Sequence, residues 1–160
     1  MKFAARLISS FLFVGGLLGF LGTCVLVVHA IRQYQDVQVM STIVSVVLFA
    51  ASIISGIELW RGNSRGFRFA GILFALQIPV FTVARFTYEF STFFSVRIMI
   101  GSTNRTIGAN IGSSCNFYLL PHSPGFMGGI NLVAVAAILC LYAISQSVNS
   151  RLALRPGLSY

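Results

Sequence analysis

The chain has 160 residues, with eleven basic and three acidic side chains, a net charge of +8 and a mean hydropathy of +0.87. A charged fraction of 9%, against about a quarter in soluble domains, excludes an ordinary water-soluble globule. The basic excess does not point to nucleic acid: Lys2, Arg6, Arg61, Arg65, Arg68, Arg151 and Arg155 flank apolar runs, where they read as topology signals and contacts with anionic lipid head groups.

Lys2 and Arg6 followed by the run from Leu7 resemble a signal peptide, with Val28-His29-Ala30 as a cleavage site. The run is longer than the roughly 7–15 residues of a signal h-region, so the expectation is an uncleaved first span over about 7–30. Gly15, Gly19 and Thr23 recur every fourth residue and share one helix face, the small-residue spacing that lets two helices approach closely in lipid. That face serves either packing within the chain or an oligomer seam.

A short polar connection, Arg32 to Asp36, makes the second span, about 37–60, an antiparallel neighbour of the first. Its serines at 41, 45, 52 and 55 can bond to carbonyls of the preceding turn and need no catalytic explanation. Trp60 suits the membrane interface, and Gly62 and Asn63 are helix stop signals. Arg61, Arg65 and Arg68 follow, with Glu58 able to reach Arg61 one turn on. Two readings of this stretch stay open: a docking site for head groups or a partner, and a cytoplasmic hairpin anchored by positive charge.

The third span is expected over about 69–90, with Gln77 inside it and Pro79 kinking it at mid-membrane. Arg85 and Glu89, four apart on a continuing helix, are expected to pair near the outer interface. From 92 to 125 the character changes. Phe94, Val96, Ile98 and Ile100 alternate with Ser95, Arg97 and Met99, the period of a strand, and Gly101 to Asn104 offers turn chemistry. This segment reads as an extracytoplasmic β-hairpin-like loop, too long for a plain turn. The fourth span is expected over about 126–148, with Asn131 seeking a hydrogen bond to Gln77 or to a carbonyl freed by Pro79, and a cytoplasmic tail over 149–160.

The expected architecture is thus an all-α membrane protein: one integral domain over 1–160, a four-transmembrane-helix bundle with both termini cytoplasmic in the cell (inner) membrane. No catalytic set suggests itself. The three carboxylates are Asp36, Glu58 and Glu89, and the expected topology separates Glu58 from the other two. Cys24, Cys115 and Cys140 form no CxxC, and neither metal-ligand spacing nor a nucleotide-binding glycine motif is present. Asn104-Arg105-Thr106 matches a glycosylation acceptor, a short pattern that matters only in a secretory pathway. The expectation is a non-enzymatic accessory, assembly or interaction protein without cofactor or metal. Its partners would be an anionic bilayer and a second copy or another membrane protein. The alternative is a small oligomeric transporter or channel component with a polar path near Gln77, Pro79, Arg85 and Glu89. A lipid-acting enzyme using Glu58 and the basic hairpin is the weakest reading, for want of a second acid or histidine on that side.

Overall fold

A computed structural model of the chain describes residues 2–33, 36–83, 86–101, 105–119 and 125–153. Its elements, in chain order, are α1 (Lys2–Gln33), α2 (Asp36–Trp60), α3 (Ser64–Gln77), β1 (Pro79–Val83), β2 (Phe86–Ser91), β3 (Phe94–Gly101), β4 (Arg105–Ile111), β5 (Ser114–Leu119), β6 (Met127–Asn131) and α4 (Leu132–Ala153). The six strands form one antiparallel sheet in the order β4-β3-β6-β1-β2-β5.

This overturns the all-α four-helix bundle. Two helices among the described residues are long and apolar enough to cross a membrane, over Phe3–Val28 and Ser41–Trp60. The third and fourth expected spans fail for a common reason: part of each apolar run is strand, β1 and β2 falling in the second half of 69–90 and β6 at the start of 126–148. Helix α3 has 14 residues, about 21 Å at 1.5 Å per residue, and the apolar stretch of α4, Leu132–Ser147, reaches about 24 Å, both short of a hydrocarbon core of about 30 Å. Pro79 does not kink a continuing helix. It has no N–H to extend α3, which closes with the Ile78 N–H on the Ala75 carbonyl, and it opens β1, a position where a strand tolerates proline. The expected outer hairpin is present as β3–β4, but inside a sheet that begins at 79 and ends at 131.

The α2–α3 connection is dictated by three residues. The Gly62 N–H donates to Leu59 and the Asn63 N–H to Glu58, a Schellman ending in which Gly62 takes φ +73° without a Cβ penalty. Asn63 then caps α3, its side chain accepting from the Arg65 N–H. Gly66 lets α3 fold back onto α2: a Cβ there would lie 2.4 Å from the Leu59 nitrogen.

Along α1, Gly15 and Gly19 of the expected small-residue face are used within the chain. Gly19 receives the Phe49 ring, Gly15 receives the Thr92-Phe93 backbone, and the Ser9 hydroxyl donates to the Gly56 carbonyl across the helix pair. Ile8, Leu12, Leu59, Ala70, Phe74, Ala134 and Leu141 form one core cluster among the four helices. Phe49, Leu73 and Phe90 form a second that joins helices to sheet. At the helical end of the sheet the Asn131 N–H donates to the Ile78 carbonyl at 2.9 Å, so the central strands β1 and β6 stay paired up to α3 and α4, which adjoin them in the chain.

Candidate functional site

Strands β2 and β3 outrun β1 and β6 at the helical end of the sheet, and the two-residue link Thr92-Phe93 joins them beneath it. In β2 the aromatic residues Phe86, Tyr88 and Phe90 alternate with Thr87, Glu89 and Ser91, so one face of the strand is polar. Register places Glu89 opposite Asn116 and Ser91 opposite Ser114 on β5. Glu89 accepts from the Ser114 hydroxyl at 2.8 Å and from Asn116 Nδ2 at 3.3 Å, and it pairs with the Arg97 guanidinium from β3. Side-chain exposures of 13% for Glu89 and 17% for Arg97 make this a largely desolvated ion pair.

Beside it lies a second buried group. The Gln77 carbonyl oxygen accepts from both the N–H and the hydroxyl of Thr92 at 3.2 Å, while Gln77 Nε2 donates to the same hydroxyl oxygen at 3.0 Å. Phe93 follows at φ +67°, a conformation costly for a side chain of its size. Several contacts hold it there: its carbonyl accepts from the Gly112 N–H at 2.6 Å, its ring stacks on Phe11 at 5.4 Å, and its backbone fits against Gly15. Asn131, also buried, caps α4 by accepting from the Val133 N–H.

The expected site residues therefore separate into two places. Glu58, Arg61, Arg65 and Arg68 lie at the α2–α3 turn: Glu58 accepts from Asn63 Nδ2 at 2.7 Å and lies 3.7 Å from Arg61, while Arg65 and Arg68 are exposed. Gln77, Glu89 and Asn131 lie in the buried belt beneath the sheet. The expected Arg85–Glu89 pairing rested on a continuing helix, whereas Glu89 is on strand β2 and pairs with Arg97. Arg85 itself lies outside the described residues. Asn131 meets the α3 end through its backbone, its side chain being spent on its own helix. Thr92, Arg97, Ser114 and Asn116 were missed as site members, although the alternation in Phe86–Ser91 carried a readable strand signal.

Two hollows complete the picture. One, of about 480 Å³, lies between edge strand β5 and the helix pair, walled by Leu18, Thr23, Ser45, Phe49, Cys115 and Phe117 among others. Burial pushes the Cys115 thiol up from its ordinary range; a hydrogen bond with Ser45 opposes this and the Glu89 charge adds to it. Burial likewise raises the Tyr88 phenol, whose hydroxyl donates to the Leu76 carbonyl at 2.7 Å. The other hollow, of about 390 Å³, lies between α1 and α2 near Trp60. Among the described residues, no three of His, Cys, Asp and Glu gather as a metal-holding group. The described members of the expected polar path are engaged internally: Gln77 with Thr92, Pro79 in the sheet, and Glu89 with Arg97. No family model, no curated protein and no solved structure matches this chain.

Proposed function

We propose that this is an integral protein of the cell (inner) membrane that works through contacts and not through catalysis, as an accessory or assembly protein, with the α1–α2 hairpin as its anchor and the sheet as the part offered to a partner. The supporting observation is the apolar surface that the hairpin leaves uncovered. Val25, Leu26, Val47 and Ile54 are 71%, 63%, 60% and 59% exposed, and only 28% and 39% of the two candidate spans is buried within the chain. A core helix of a soluble protein is mostly buried, and an uncovered apolar face this extensive calls for lipid or a partner.

The belt beneath the sheet fits the same reading. Backbone that leaves helical geometry near the middle of α1 is tolerated beside hydrocarbon only where protein satisfies its polar groups. Gln77, Thr92, Glu89 and Arg97 are paired within the chain at that level. In this arrangement Arg6, Arg61, Arg65 and Arg68 mark the cytoplasmic end, as the positive-inside bias favours, with both chain termini on that side.

Cysteine labelling in a background free of Cys24, Cys115 and Cys140 tests the anchor. A probe at Ser64 should label from the cytoplasm and one at Thr106, exposed on β4, from outside. Release of the protein by carbonate washing, or labelling of both positions from one side, overturns it. Detergent pull-down with crosslinking tests the contact function. Recovery of nothing beyond lipid and the chain itself across several mild detergents argues against an accessory role.

A further inference from the structure

We propose that the groove between α1 and α2 beside Trp60 holds one anionic phospholipid, with its acyl chain along Phe13, Val14 and Ile57 and its phosphate at the guanidinium groups of Arg6 and Arg61. The inference rests on the membrane reading of the helix hairpin given above.

The groove exists because of one glycine. Gly56 brings the two helices so close that a Cβ there would lie 2.9 Å from the Phe13 nitrogen and 3.0 Å from the Ser9 carbonyl oxygen. With backbone as its floor, the hollow is walled by Phe13 and Val14 on one side and Ile57 and Trp60 on the other. Its about 390 Å³ falls at the lower end of the range for ligand sites, roughly 300–1,000 Å³.

What the walls offer to a ligand decides its chemistry. The Ser9 hydroxyl is spent on the Gly56 carbonyl and the Ser10 hydroxyl on the Arg6 carbonyl, so neither donates into the groove. The charged donors stand at the Trp60 end. Arg61 has a side chain 70% exposed, and Arg6 lies over the Trp60 ring at 5.5 Å. Glu58 is the acidic group of this turn, set against Arg61, Arg65 and Arg68 as well as Arg6. A site with an apolar body and a cationic end fits an amphiphile with an anionic head. The cationic end coincides with the ends of both candidate spans, where Trp60 suits the head-group layer. An arginine fork pairs with phosphate oxygens in a way that zwitterionic head groups, carrying their own cation, match less well.

Trp60 is the single tryptophan in the chain, so fluorescence reports on this end of the helix pair, and the groove-filling variant below separates groove lipid from lipid that reaches the exposed part of the ring. Full-length protein in phosphatidylcholine–phosphatidylglycerol vesicles is measured twice, with brominated acyl chains on one lipid or the other at equal mole fraction. Brominated phosphatidylglycerol should quench Trp60 more strongly, at a relative affinity of about fivefold for each arginine facing the head group. Arg61→Gln should cut the preference by about that factor, and the Arg6→Gln/Arg61→Gln pair should abolish it. Val14→Phe, which fills the groove at a half-exposed position, should reduce quenching by phosphatidylglycerol to the level given by phosphatidylcholine. Equal quenching by both lipids in the unaltered protein overturns the site while leaving the membrane anchor standing. Absence of quenching by either lipid overturns both readings. A preference that survives the double substitution or Val14→Phe, or one removed by inorganic phosphate at matched ionic strength, overturns the assignment of a lipid held by this groove.

Discussion

Glu89 and Arg97 pair across the sheet although β6 and β1 lie between their strands. Three strand spacings amount to about 14 Å, so direct contact requires the sheet to curl and the ends of β2 and β3 to converge below the two central strands. The Thr92-Phe93 link enforces that convergence, and Ser114 and Asn116 fix the carboxylate from the opposite side. The pair therefore ties the β2–β5 half of the sheet to the β3–β4 half.

Removing either charge should leave the other largely desolvated and uncompensated. Glu89→Gln or Arg97→Met alone should cost about 2–4 kcal/mol, and the double substitution should cost less than the sum. Unfolding of the four proteins in detergent gives the coupling. Additive effects would mean that the contact carries no energy and that the curl is set elsewhere.

Gln77 should matter more than its place at a helix end implies. Gln77→Leu keeps the side-chain volume but leaves the Thr92 N–H and hydroxyl without the oxygen that receives them, a loss of about 2–3 kcal/mol. Tyr88→Phe, which removes a single bond to the Leu76 carbonyl, should cost about 0.5–1.5 kcal/mol. Thermal unfolding of the two variants side by side checks the order. A reversed order would place the stabilising role of this belt in the aromatic face of β2.

What the sequence made legible follows physical lines. The α1–α2 hairpin was readable because charge-free runs bounded by charges mark apolar helices, and Phe94–Ile100 because its alternation has a strand's period. Strands β1, β2 and β6 are not announced by charge spacing, because an apolar strand and an apolar helix are equally poor in charge. Aromatic and β-branched content in Pro79–Val83 and alternation in Phe86–Ser91 carried the missing signal. Asn131 directly before an apolar run is an N-cap signal, hidden by the apolar residues from Phe126 to Ile130 that precede it. The partners of β1 and β3 on β6 lie tens of residues along the chain, so nothing local announces their register. The paired belt is a product of that register, which is why nothing in the local sequence names Arg97 as the partner of Glu89.

Glycines separate into those that carry an approach and those that do not. Gly66→Ala sets a Cβ 2.4 Å from the Leu59 nitrogen, and Gly15→Ala sets one 2.7 Å from the Phe93 nitrogen, both backbone atoms that cannot swing aside. Each should destabilise by about 1–3 kcal/mol. Gly22 and Gly71 have nothing within 4 Å of such a Cβ, and alanine there should stabilise by about 0.5–1 kcal/mol through helix propensity. Melting temperatures of the four alanine variants test this. Uniform effects across the set would mean that α3 does not fold back closely on α2.

Cys115 gives the fold a titratable reporter. Its thiol is raised chiefly by burial, further by the Glu89 charge, and is held back by Ser45. A thiol whose folded pKa lies above its unfolded value contributes stability that is complete below the unfolded pKa and is lost as pH rises through the folded one. The thiolate is the species that reacts, so alkylation of Cys115 in a protein lacking Cys24 and Cys140 should be slow at neutral pH and should rise only above the ordinary thiol range. Ser45→Ala removes the bond that favours the thiolate and should shift the alkylation profile to higher pH. Glu89→Gln removes a repelling charge and should shift it to lower pH. The two shifts have opposite signs, whereas a general loosening of the β5 edge would accelerate alkylation in both variants. Profiles that move together would therefore refute the placement of Cys115 between Ser45 on α2 and Glu89 on β2.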